Sequence, residues 1–199
     1  MIRFDNFVDT GLLEYDTLGG TLTGTNIGFD FIVATDVPQN EGTVTCLGCF
    51  LNFETGANTL TGPTNYAWAP GGTFTITGEV PGVTPPGSTV LLSGTFTLAT
   101  AIGNNLPGNT QDFILFSGTG VDLKNSDLLA FFGLPADTLF QFGSTDISTT
   151  ARINANGTFV GNVDEADVTN TGLQVPEPGS MMLLLLGLGS LAAYRRRRS

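Results

Sequence analysis

Cys46-Leu47-Gly48-Cys49 holds the only cysteines of a 199-residue chain that contains no histidine at all. Without imidazole the chain cannot assemble a Ser/His or Cys/His nucleophile, and the usual zinc and copper ligand sets are missing as well. An isolated cysteine pair cannot complete a tetrahedral zinc site, and redox catalysis of the thioredoxin kind needs a strand-to-helix context that the β-rich flanks here do not offer. Outside the cytoplasm Cys46 and Cys49 are expected to form a local disulfide across a turn at Gly48, with two packed thiols as the alternative.

Oxygen chemistry is the remaining option. Asp164-Glu165-Ala166-Asp167, with Asn162 and Asn170 nearby, offers the hard ligands that calcium takes. The spacing departs from the EF-hand pattern and no glycine sits at the turn position, which favours a solvated acidic loop; no metal and no cofactor is expected. Two carboxylates in one cleft could hydrolyse a glycoside, and Glu54, Glu79, Asp112, Asp122 and Asp127 are available, but linear order brings no two of them together. Tyr66 and Trp68 offer aromatic faces for stacking on a sugar ring, against the competing reading of a buried anchor.

Charge narrows the partners further. Residues 1–175 carry 17 acidic side chains against Arg3, Lys124 and Arg152, a formal charge of −14. No basic patch can be assembled from three scattered cations, which excludes nucleic acid. An acidic surface rich in threonine and glycine suits a secreted protein that must stay soluble.

The other four cations are Arg195, Arg196, Arg197 and Arg198, directly behind an uncharged apolar run. That run contains Met181, Leu183, Leu184, Leu185, Leu186, Leu188 and Leu191, and is apolar all round rather than on one stripe, so a helix there must be buried on every side. Gly179 to Tyr194 is 16 residues, about 24 Å at the helical rise against a hydrocarbon core of roughly 30 Å. Snorkelling arginines and local bilayer thinning absorb the difference, and the positive-inside rule keeps the arginines cytoplasmic. Ahead of the helix, Val175-Pro176-Glu177-Pro178 should stay extended, because neither proline donates a backbone hydrogen bond and Pro178 disfavours helix at Glu177. An extended, exposed peptide is what a protease binds.

Val175-Pro176-Glu177-Pro178-Gly179-Ser180, a leucine-rich helix and a terminal arginine cluster together resemble the PEP-CTERM sorting signal of Gram-negative bacteria that make extracellular polysaccharide. The resemblance covers about the last 25 residues. It implies recognition by an exosortase, a membrane-embedded peptidase-like enzyme, transient anchoring in the bacterial inner membrane with the N-terminal side out, and release to the cell surface or polysaccharide matrix. Proteins of this kind normally carry an N-terminal secretory signal, whereas Met1-Ile2-Arg3-Phe4-Asp5-Asn6 shows no basic segment followed by an apolar stretch. An upstream in-frame segment encoding one is therefore expected. The function that follows is a non-catalytic exported protein; the alternatives are a carbohydrate-binding module of the matrix or, less favoured, a carboxylate-dependent hydrolase.

The elements that would position these residues read at period two. Thr73 to Val80 alternates polar and apolar, and Thr89 to Leu98 places Val90, Leu92, Phe96 and Leu98 on one face. Ile27, Phe29, Phe31 and Val33 form another inward row, and Val44 and Cys46 followed by Leu51 and Phe53 predict a bulge near Gly48. Asp112 to Phe116, Thr138 to Ile147 and Gly157 to Val168 complete the strands. Clusters at 38–42, 81–87 and 103–109 supply turns. Ser126 is expected to cap one short helix stopped by Gly133 and Pro135, covering an open end. The expected architecture is all-β: an antiparallel β-sandwich or jelly roll over residues 1–168 with that helix, a linker at 169–175, and the sorting signal with its transmembrane helix at 176–199.

Overall fold

The computed structural model describes residues 1–6, 10–62, 64–104 and 112–172. Over these residues the chain forms 11 antiparallel strands and one short helix. The strands are β1 (Ile2–Asp5), β2 (Leu12–Tyr15), β3 (Thr23–Ala34), β4 (Gly42–Thr55), β5 (Asn58–Thr61), β6 (Asn65–Trp68), β7 (Gly71–Glu79), β8 (Thr89–Asn104), β9 (Asp112–Lys124), β10 (Phe140–Ile153) and β11 (Phe159–Gly172), with α1 (Ser126–Phe131) between β9 and β10. The all-β antiparallel body with its one short helix is therefore as the sequence pattern requires.

The strands form one continuous sheet. β8, β7, β4 and β3 lie side by side, β1 and β2 sit in tandem between β3 and β11, and β10 and β9 follow. β9 then pairs with β8, from Lys124 opposite Leu92 to Phe113 opposite Asn104, so the sheet closes on itself. The β5–β6 hairpin continues the β7 side of β8, with Trp68 opposite Ala99 and Asn65 opposite Ile102. Rings from opposed strands fill the interior: Phe53 of β4 stacks on Phe116 of β9 at 5.0 Å, and Phe74 of β7 on Phe142 of β10 at 4.2 Å. Glycines opposite them make the room. A Cβ on Gly24 would lie 2.1 Å from the Phe53 ring, and one on Gly94 2.4 Å from Phe74.

Bulges decide which residues face in. At Gly48, held at φ +56°, β4 changes phase, so Val44 and Cys46 lead into Cys49, Leu51 and Phe53. Cys46 and Cys49 are both buried and are joined by a disulfide across that bulge, with Cα atoms 5.7 Å apart. Gly78 on β7 faces it; a Cβ there would lie 2.3 Å from the Cys49 Sγ. Other bulges overturn parts of the expected pattern. A register shift between Phe29 and Phe31 turns Ile32 and Ala34 inward in place of Phe31 and Val33. Shifts at Ile76/Thr77 and Phe96/Leu98 expose Val90 and Leu98 and bury Leu91 and Ala99.

The helix starts one residue earlier than expected. Asn125, not Ser126, is the cap, its side chain accepting from the backbone N–H groups of Asp127 and Leu128. Leu128, Leu129 and Phe132 go into the core, and Gly133 at φ +72° ends the helix. β11 is longer than expected and runs to Gly172, with Asn170 opposite Ile2 and Gly172 opposite Phe140. The first part of the predicted linker, 169–172, is thus strand, because Val168 and Asn170 continue the inward alternation.

The Cys46–Cys49 loop has a sequence separation of only 3, for which loop-closure entropy gives roughly 2 kcal/mol. Reduction should lower the melting temperature by about 4–8 °C while leaving one cooperative transition. Gly78→Val should cost more than reduction, because its branched side chain collides with Cys49. Thermal melts with and without reductant check both.

Candidate functional site

The candidate side chains of the body do not converge. Glu54 on β4 accepts from Thr21 Oγ1 at 3.0 Å, and Glu79 at the end of β7 accepts from the backbone N–H of Gly87 at 2.8 Å. Asp127 is exposed in the first turn of α1. The side chain of Asp112 lies outside the described residues. Asp164 to Asp167, expected as a loop, are part of β11, where Asp164 accepts from Thr150 Oγ1 and Asp167 lies 3.6 Å from Arg3 Nε. Partial burial, only partly offset by Arg3, pushes the Asp167 carboxyl up. Asn162 is exposed and Asn170 is wholly buried, so these two cannot ligate one ion together.

Tyr66 and Trp68 are not a sugar platform. Both alternate inward on β6 and are 2% exposed, with Tyr15 of β2 meeting Trp68 edge-to-face at 5.7 Å and Phe159 of β11 meeting Tyr66 at 5.3 Å. The short β6 lies against β8 and the rings have no route to solvent, which corrects the stacking expectation. Trp68 anchors the core.

Asp122 and Lys124 were legible as single charges but not as a pair. Spaced by two on β9, they point to the same inward side. Lys124 Nζ donates to Asp122 Oδ1 at 2.5 Å, both side chains are fully buried, and the ammonium sits 3.9 Å from the centre of the Phe140 ring. Burial pulls the Lys124 ammonium down to about 8, the Asp122 carboxylate offsetting part of the effect. Burial likewise pushes the Asp122 carboxyl up against the pull of Lys124. Desolvation thus exceeds the mutual attraction on both sides. Asp122 Oδ2 and both amide atoms of Asn170 are buried without hydrogen-bond partners, which adds to the cost of these polar positions.

The remaining candidate is the segment that follows β11. The chain leaves the described body at Gly172, held opposite Phe140. Val175 to Pro178, the apolar run from Met181 and the arginines Arg195 to Arg198 lie outside the described residues. Among the described residues no helix is long and apolar enough to cross a membrane. Residues 174–198 match the family model of the PEP-CTERM protein-sorting motif. The chain carries a PEP-CTERM sorting signal. No curated protein and no solved structure matches the chain. A PEP-CTERM signal makes this an exported protein sorted by an exosortase, anchored at a membrane through its C-terminal segment. It follows the last strand almost directly, with a single residue, Leu173, between Gly172 and the start of the match at 174.

The buried pair sets a pH response. In the unfolded chain Lys124 keeps its proton to about 10.5, but in the fold it loses it near 8. Between those values the unfolded state binds more protons, so the fold gains stability as pH rises, at up to about 1.4 kcal/mol per pH unit. For Asp122 the sign is opposite: the folded state holds the proton longer, so stability falls as pH rises between 3.8 and its elevated value. Denaturant titrations at pH 7.5 and 9.5 should show the alkaline gain in the native protein and not in Asp122→Leu/Lys124→Met. Lys124→Ala alone should cost about 3–5 kcal/mol, whereas the double variant should be as stable as the native protein or more so.

Proposed function

We propose that this chain is a non-catalytic β-domain protein, delivered to the cell surface or the extracellular polysaccharide matrix by exosortase processing of its C-terminal signal. The carrying observation is the PEP-CTERM match at 174–198, directly behind a body whose last strand ends at Gly172.

Charge and hydropathy support the orientation. Four arginines behind an uncharged apolar run hold that end on the cytoplasmic side, so the acidic body lies outside. Pro176, Glu177 and Pro178 then occupy an extended stretch at the outer surface, within reach of a membrane-embedded peptidase. The lack of catalytic activity is supported by the use to which the acids are put. Glu54 and Glu79 accept hydrogen bonds that hold loop segments to strands, and Asp122 is buried on Lys124 of its own strand.

Expression of the full-length gene in its host, with and without residues 176–199, tests this reading through cell fractionation and intact mass. The native protein should lose its tail in an exosortase-dependent way and be found outside the cell. Pro176→Ala or Glu177→Ala should leave it at full mass in the membrane fraction. Full-length protein dissolved in the cytosol would overturn the proposal.

A further inference from the structure

Among the described residues the closed sheet leaves only the short β5 as a free edge, so a face offers more surface for association of the body than an edge does. The outer face of β8 and β9 differs from the rest of the surface. Between Glu79 and Asp122 the sequence holds one charged residue, Asp112, although residues 1–175 contain 17 acids. Outward on these strands stand Leu98, Ile102, Phe113, Leu115, Val121 and Leu123, each between 38% and 58% exposed. Ile102 lies directly opposite Leu115, so part of this apolar surface is contiguous. Serines and threonines separate the apolar groups, and β7 borders them with Thr73, Thr75 and Thr77 before Glu79 closes its outward row. A shallow groove bordered by Ser93, Val121, Leu123 and Leu139 runs across the same strands.

We propose that this outer face of β8 and β9, bordered by the threonines of β7, binds the same face of a second copy of the chain. Two bodies of formal charge −14 repel one another, and least where neither presents a charge. The dimensions are sufficient. The β8–β9 ladder runs from Leu92 to Asn104, about 40 Å at strand rise by about 10 Å for two strands, and β7 adds a third strand only beside Thr89 to Phe96. That gives on the order of 500 Å² per copy, about the least that a specific interface buries. Other occupants fit less well. No lysine or arginine stands on this face to attract anionic lipid or anionic polysaccharide, and Phe113 is its one exposed ring. A face meeting itself about a two-fold axis also makes self-association closed rather than open-ended.

The test uses full-length protein in detergent, with a nitroxide on Thr119→Cys in the middle of the face or on Val160→Cys on β11, away from it. Electron–electron distance measurements should give a short intermolecular separation at Thr119→Cys, on the order of 10–20 Å for sheets packed face to face. No such separation should appear at Val160→Cys. Leu115→Asp should weaken association by about tenfold or more, since it places like charges across the two-fold axis. Ile102→Asp serves as a second variant and Val160→Asp as a control of equal charge change. The proposal is overturned by an absent short separation at Thr119→Cys, by equal coupling at both labels as tail-driven association would give, or by association that Leu115→Asp and Ile102→Asp leave unchanged. Monomeric protein whose face instead binds zwitterionic vesicles or neutral polysaccharide also overturns it. None of these outcomes depends on the sorting signal being processed.

Discussion

The ladder between β8 and β9 is the pairing on which the rest of the body depends. Without it the strand order would end in two free edges and the inward rings of β4, β7 and β10 would face water on one side. With it Phe116 reaches Phe53 and Phe142 reaches Phe74, and the aromatic interior is sealed. Closure is also economical in another sense: it satisfies backbone donors and acceptors on both sides of β8 and β9 without a covering layer.

The same ladder concentrates the unusual chemistry of the domain. Its inward side carries Asp122 and Lys124, a pair whose desolvation outweighs its attraction. Its outward side carries apolar residues and hydroxyls without charge. Among the described residues the acidic body therefore has one two-stranded face that carries no charge. The Cys46–Cys49 disulfide lies on β4, two strands along from β8, where it fixes the phase change of the strand and so holds Leu51 and Phe53 inward.

Period-two alternation was legible wherever a strand ran without interruption, as in Phe74, Ile76 and Gly78 of β7. It misled after each bulge, because one extra residue moves every later side chain to the other face. Gly48 announced its bulge by its glycine and by two apolar rows out of phase. The bulges near Phe31, Val90 and Leu98 lie in runs apolar at both parities, so nothing local marks them. Tyr66 and Trp68 read as buried anchors more readily than as a platform, and the register of β6 on β8 turns them inward.

The sorting signal needed no tertiary structure to be read, because membrane partition, helix-terminal charge and proline stiffness depend on local composition alone. All-β class was legible for the same reason, since alternation is a property of short segments. Closure of the sheet, the burial of Asp122 beside Lys124 and the uncharged outer face arise from residues brought together across the sheet. Those were decided only by the register of long-range pairing, which bulges set and sequence spacing does not encode.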